Sequence, residues 1–150
     1  MTNPLLYETN KATATDIDFH LNACKQSFVP NLDSYVNISN YANKIRENGN
    51  TFEAWFNGKL IGLVAAYYNE KKLSAFITNV SIEKDFEGKG IARQLLSDCK
   101  SFMQNKGALK IDLEIKPENT KAMEFYLRNG FAIVEKKENY KMCHKLKKRL

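Results

Sequence analysis

Apolar residues recur at two periods along the chain, and the change of period divides it. In the first fifty residues the spacing is helical: Ile17, Leu21, Cys24 and Phe28 form one stripe, and Tyr35, Ile38, Ala42 and Ile45 another. Thr15, with Asp18 three residues on, reads as a capping box for the first helix, and Pro30 ends it. The second helix is expected to open at Asp33 or Ser34 and to stop before Gly49. A short strand from Leu5 to Thr9 precedes both.

From Thr51 the pattern becomes that of strands. Residues 51–56 and 60–68 are rich in β-branched and aromatic side chains, and Asn57-Gly58 between them marks a tight hairpin. A second turn over residues 69–72 leads into a long strand, residues 73–83, so three antiparallel strands are expected in a row. Ala92, Leu95, Leu96, Cys99, Phe102 and Met103 then return to helical spacing, with Gly107 as the stop. Ile111, Leu113 and Ile115 alternate with Lys110, Asp112 and Glu114, which is a half-buried strand. Asn119 caps a short helix ending at Gly130, and residues 131–134 and 140–146 close the chain as strands. The order predicts an α/β (α+β) fold: a mixed, mostly antiparallel sheet flanked by helices.

Composition narrows the partners. At 150 residues, 43% hydrophobic and 11% aromatic, the chain fits one domain with a packed core, and no linker divides it. No apolar run is long enough for a membrane span, and the N-terminal residues lack the pattern of a signal peptide, so a cytoplasmic location is expected. Three cysteines without C-x-x-C spacing and two histidines are too few for a zinc site, so no metal is expected. Cys24 and Cys99 read as core residues, and the adjacent Cys143 and His144 as a pair with nothing to orient them for catalysis. The formal charge of +6 is concentrated: the last ten residues carry five of the 23 basic side chains, leaving 18 against 17 acidic ones. A basic face spread over a domain is the footprint of a polyanion partner, and a short tail is not, so nucleic acid is not expected to bind.

The informative segment is Phe86-Glu87-Gly88-Lys89-Gly90-Ile91-Ala92, between a strand and an amphipathic helix. Two glycines one residue apart let the backbone approach a ligand closely, and the helix start behind them offers unpaired N–H groups and the positive end of the helix dipole. Together they suit a pyrophosphate. The segment is not a Walker A loop, since no Gly-Lys-Ser/Thr closes it, and it lacks the third glycine of a dinucleotide fingerprint.

Residues 87–92 (EGKGIA) resemble the Q/R-x-x-G-x-G/A signature of the GNAT acetyltransferases at every position but the first. The segment EIKPENTKAMEFYLRNGF is similar to the same family's E-x-x-x-x-N-x-x-A-x-x-x-Y-x-x-x-G-F block, and the resemblance covers roughly residues 51–146. It implies an enzyme that transfers acetyl from acetyl-CoA, as co-substrate, directly to a primary amine on a small molecule or a protein. It also implies roles. The strand carrying Val80 and Ile82 pairs with the pantetheine arm, and main-chain N–H groups of Gly88, Lys89, Gly90, Ile91, Ala92 and Arg93 hold the pyrophosphate. Asn119 contacts the arm or caps its helix, and Tyr126 touches the cofactor and donates to the leaving sulfur, or else fills the core. Glu114 is the expected base, or else a solvent-facing strand residue, with Glu83, just past the preceding strand, as runner-up; orientation of the amine over the thioester is the alternative to any dedicated base. Glu87, standing where the family carries Gln or Arg, is expected to turn away from the phosphates. The cofactor is expected where strands 73–83 and 109–115 part, and the acceptor over the first two helices and the 67–73 turn, near Phe28, Tyr35 and Tyr41. Members of the family are often dimers, so a homodimer is one arrangement the resemblance allows. A domain that binds acyl-CoA without transferring the acyl group is the second reading.

Overall fold

The computed structural model describes residues 4–147, so Lys148 and Arg149 of the basic tail lie outside the described residues. Chain order runs β1 (Leu6–Thr9), α1 (Ala14–Cys24), α2 (Ile38–Asn48), β2 (Asn50–Phe56), β3 (Lys59–Asn69), β4 (Ser74–Ile82), α3 (Ile91–Lys106), β5 (Lys110–Ile115), α4 (Thr120–Arg128), β6 (Ala132–Lys136) and β7 (Tyr140–Lys145). Among the described residues one seven-stranded sheet forms, in the order β1-β2-β3-β4-β5-β7-β6. Every neighbouring pair is antiparallel except β4–β5. That exception follows from the α3 crossover, which returns the chain to the sheet in the same direction.

Two apolar layers cover the sheet. Ile17, Leu21, Ile38, Ala42 and Ile45 of α1 and α2 pack on Leu60, Leu63 and Ala65 of β3. On the other face Leu95, Leu96, Cys99 and Met103 of α3 meet Phe52, Val64, Ile77, Ile111 and Leu113, with Tyr126 of α4 in the same cluster. Gly107 ends α3 with φ +105°, and Ala108 N–H bonds back to Met103 O at 2.9 Å.

The helical half departs from the expected boundaries. The capping box is Thr13 with Asp16, not Thr15 with Asp18: Asp16 N–H donates to Thr13 Oγ1 at 3.1 Å and Thr13 N–H to Asp16 Oδ2 at 2.9 Å. Both pairs share the T-x-x-D spacing, and the buried stripe from Ile17 to Cys24 is served by a helix that starts two residues earlier. Phe28 is not on α1. Residues 25–27 tighten into a 3₁₀ turn, and Phe28 is extended two residues before Pro30. Residues 32–34 likewise form only a 3₁₀ turn, and α2 starts at Ile38, capped by Asn37, whose Oδ1 accepts from Asn40 N–H at 3.0 Å. Tyr35 therefore escapes the helical stripe and is 58% exposed.

Two features of β4 open the sheet at its centre. Its pairing with β5 stops after Ser74↔Lys110, Ala75↔Ile111 and Phe76↔Asp112, so the edge of residues 77–82 that faces β5 has no strand partner. In the pairing with β3, Ala65 faces Asn79 while Ala66 faces Ile77, which leaves Thr78 as the extra residue of a β-bulge. The bulge keeps Ile77 and Val80 on the α3 face, while Asn79 and Ser81 turn toward α1.

Candidate active site

The parting of β4 and β5 opens two cavities, of about 570 and 480 Å³, which share Phe28, Val80, Asn119, Ala122 and Tyr126 as a common wall. Both fall in the range of small-molecule sites, roughly 300–1,000 Å³. The first runs from Val80 and Ile82 past Gly88 and Gly90 to the start of α3, and is closed on its other side by α4. The second lies between the unpaired stretches of β4 and β5, under the 28–36 loop.

At the start of α3 the backbone offers what an anion needs. Phe86 and Glu87 N–H bond to Glu83 O and Lys84 O, and the first helical bond runs from Gln94 N–H to Gly90 O at 3.1 Å. The N–H groups of Gly88, Lys89, Gly90, Ile91, Ala92 and Arg93 lie between and have no acceptor among the described residues. No side chain caps the helix, and its first turn holds no acid. Gly88 and Gly90 have φ of +75° and +78°, and a Cβ on either would meet nothing within 4 Å. The demand for glycine at both positions is thus conformational, and both glycines line the first cavity.

Tyr126 sits where the two cavities meet. Its ring is held edge-on by Phe125 at 5.3 Å and Phe131 at 5.5 Å. Burial raises the phenol well above its usual value of 10, and its hydroxyl has no hydrogen-bond partner among the described residues. It can donate, and it does not serve as a base near neutral pH. Asn119 lines both cavities and also caps α4, its Oδ1 accepting from Ala122 N–H at a long 3.4 Å. The cap is weak enough to leave the side chain available to a ligand.

The carboxylates divide. Glu114 is exposed at the mouth of the second cavity, opposite Lys141 on β7. Glu83 instead holds Lys59 at 3.0 Å and lines neither cavity. Glu87 is among the residues lining the first cavity, and its carboxylate lies 3.8 Å from the well-exposed Lys121 of α4. Phe28, Tyr35 and Tyr41 do wall the second cavity, but the turn from Tyr67 to Leu73 does not reach it.

Several site features were not foreseen. Lys121 and Arg128 join Arg93 as the cations of the first cavity; their helical spacing on the polar side of α4 was the available signal. His20 is fully buried, its Nδ1 3.2 Å from Leu60 O and its Nε2 2.9 Å from Ser81 Oγ, and Ser81 donates to Asn79 Oδ1 at 2.8 Å. Burial lowers the imidazole to about 4. Cys24, also on the cavity wall, has its Sγ 3.8 Å from His20 Nε2, and burial, then Glu83 and Glu87, push the thiol up to about 12. Neither partner is charged at neutral pH, so this is no thiolate–imidazolium nucleophile. Cys143 lines neither cavity. Among the described residues no cluster of His, Cys, Asp and Glu is placed to hold a metal, and no helix is long and apolar enough to cross a membrane.

The sheet thus parts beside a glycine-started helix, and the two cavities that open there meet at a tyrosine. The family model for the acetyltransferase (GNAT) family matches residues 16–131, and the chain belongs to that family. It is 33% identical over 110 residues to an uncharacterized N-acetyltransferase of Methanocaldococcus jannaschii, a match covering 70% of this chain and 47% of that protein. It is 36% identical over 84 residues to N-alpha-acetyltransferase 30 of Schizosaccharomyces pombe, covering 54% of this chain and 56% of that one. The chain thus spans about half the length of these curated relatives. The PaiA N-acetyltransferase of Thermoplasma acidophilum, solved in complex with coenzyme A, shares the fold with a TM-score of 0.75 at 18% identity, over 93% of this chain and 99% of that one.

Proposed function

We propose that this protein is an N-acetyltransferase that moves acetyl from acetyl-CoA directly to a primary amine, on a small molecule or a protein, in the cytoplasm. The observation that carries the reading is the run of six unpaired N–H groups from Gly88 to Arg93, beside a cavity that also takes in the unpaired edge of β4 at Val80 and Ile82. A pyrophosphate on the first and a pantetheine arm along the second bring a thioester to Tyr126, where the second cavity begins. Acetyl-CoA supplies the activated acyl group when bound.

The side chains then have separable tasks. An amine of pKa near 10 is about one part in a thousand neutral at pH 7, so its proton must be taken. Glu114, at the mouth of the second cavity, takes it directly or through water. The Tyr126 hydroxyl donates a hydrogen bond to the sulfur as the carbon–sulfur bond breaks. Asn119 steadies the arm between them, and the walls of Phe28, Tyr35 and Tyr41 hold the acceptor over the acyl carbon, which supplies part of the rate by orientation alone.

Thermal unfolding with saturating acetyl-CoA, coenzyme A or ATP tests the cofactor half. Ligand at about a hundred times its dissociation constant adds about 2.7 kcal/mol, so both coenzyme A forms should raise the melting temperature by several degrees and ATP should not. Release of free thiol in the presence of a panel of small amines and peptide N-termini tests the transfer half. Binding without thiol release across the panel would favour a domain that holds acyl-CoA and transfers nothing.

A further inference from the structure

We propose that Glu87 and Lys121 form a charge clasp across the mouth of the first cavity, and that the diphosphate of coenzyme A opens it by taking Lys121 from Glu87. The idea rests on the acetyltransferase reading and goes beyond it, since Glu87 replaces the Gln or Arg of the family signature. The two residues belong to different elements, the loop before α3 and the first turn of α4, and their charges meet at 3.8 Å. Glu87 is the one acid lining a cavity whose other charged residues are Arg93, Lys121 and Arg128. It directly precedes the free N–H groups, its own N–H being bonded to Lys84 O.

The pair itself holds little. Lys121 is 90% exposed and Glu87 41%, and exposed pairs of this kind are easily exchanged. What the clasp changes is the competition for Lys121. Lys121, Phe125 and Arg128 lie along one side of α4 at helical spacing and line the cavity together. A diphosphate on the Gly88–Arg93 donors faces them and offers Lys121 a stronger partner. Glu87 is then left unpaired beside two negative phosphates. Empty, the site is satisfied by the clasp; loaded, it carries one repulsive carboxylate. Both effects weaken coenzyme A, so the Glu87 substitution sets cofactor affinity below what the same loop with Gln would reach.

Calorimetric titration of coenzyme A into the unaltered protein, E87Q, K121A and the double variant tests this without an acceptor. E87Q should tighten binding about three- to tenfold at low salt and K121A should weaken it by a similar factor. In the K121A background the gain from Glu87→Gln should shrink to about twofold, because only repulsion is left and the competition is gone. All four proteins should share one melting temperature without ligand, both side chains being exposed. A gain as large or larger in the K121A background would show plain repulsion and overturn the clasp, as would unchanged or weaker binding by E87Q. Failure of the unaltered protein to bind coenzyme A would overturn the acetyltransferase reading itself, and is seen in the first titration.

Discussion

Replacing Tyr126 with Phe separates catalysis from packing, because the structure gives the hydroxyl and the ring different environments. The ring is fixed between Phe125 and Phe131, and those edge contacts survive the substitution. The hydroxyl has no partner among the described residues, so removing it breaks no hydrogen bond. Unfolding stability should change by no more than about 0.5 kcal/mol, since the ring packing is kept and no hydrogen bond within the protein is lost. The rate should behave differently. Burial raises the phenol above 10, whereas a thiol titrates near 8.5. Full proton transfer from Tyr126 to the leaving thiolate therefore runs uphill, so the role proposed for the hydroxyl is hydrogen bonding to sulfur as charge develops. Its worth then lies below the roughly 10²–10⁴ of general acids, at about 10- to 100-fold in kcat. Initial rates of thiol release, with an acceptor taken from the amine panel, should show that drop, with coenzyme A affinity and melting temperature unchanged. An unaltered kcat would reduce Tyr126 to a packing residue, and a fall in kcat that tracks a fall in melting temperature would do the same.

Glu114→Gln should lower kcat/KM about tenfold at pH 7, and the deficit should narrow as pH rises toward the amine's pKa, where neutral acceptor no longer needs a base; a pH-independent deficit would count against that role. His20 is held neutral, with its folded pKa near 4 against 6.5 unfolded, so the unfolded chain binds the extra proton between those values. Stability should be fully present above about pH 6.5 and fall as pH drops toward 4, by ~3 kcal/mol from this group, measurable by urea unfolding across that window and reduced in His20→Gln. Gly90→Ala forces an alanine to φ +78° with no steric neighbour. It should cost about 1–2 kcal/mol of stability from backbone strain alone and weaken coenzyme A, while Gly58→Ala, also at positive φ but in the β2–β3 hairpin, should cost stability only.

The strand half of the fold could be read from the sequence because its signals are local. Asn57-Gly58 makes the β2–β3 hairpin, alternation makes β5, and Gly107 ends α3, each decided by neighbours in the chain. The first forty residues were harder for a physical reason. The T-x-x-D spacing occurs twice in sequence, at Thr13–Asp16 and Thr15–Asp18, and only packing against the sheet selects the first. Phe28 and Tyr35 kept helical spacing by accident: the chain tightens into 3₁₀ turns around Pro30, and neither residue stays on a helix. The buried chain from Leu60 O through His20 and Ser81 to Asn79 was invisible, since it joins segments 61 residues apart through single side chains.

The same contrast separates the glycine-started helix, which the sequence shows, from the second cavity, which it does not. A diphosphate is recognised mainly by main-chain N–H groups, so the sequence records only the conformation that exposes them, and two glycines at positive φ before an uncapped helix are that record. The second cavity is built by side chains from scattered places: the loop around Phe28 to Val36, Tyr41 on α2, the bulged stretch of β4, Glu114 on β5, Tyr126 and its neighbours on α4, and Asn139 before β7. No spacing connects them, and their types are those of an ordinary core. Their common origin is the loss of β4–β5 pairing after Phe76 and Asp112. Pairing that continued would fill the gap with a strand ladder, leaving neither a free β4 edge nor the opening beside Glu114. The opening is therefore a property of the sheet before it is a property of any residue. Cofactor binding should accordingly tolerate changes at Tyr35 that alter which amine is accepted, since Tyr35 lines the second cavity and not the first.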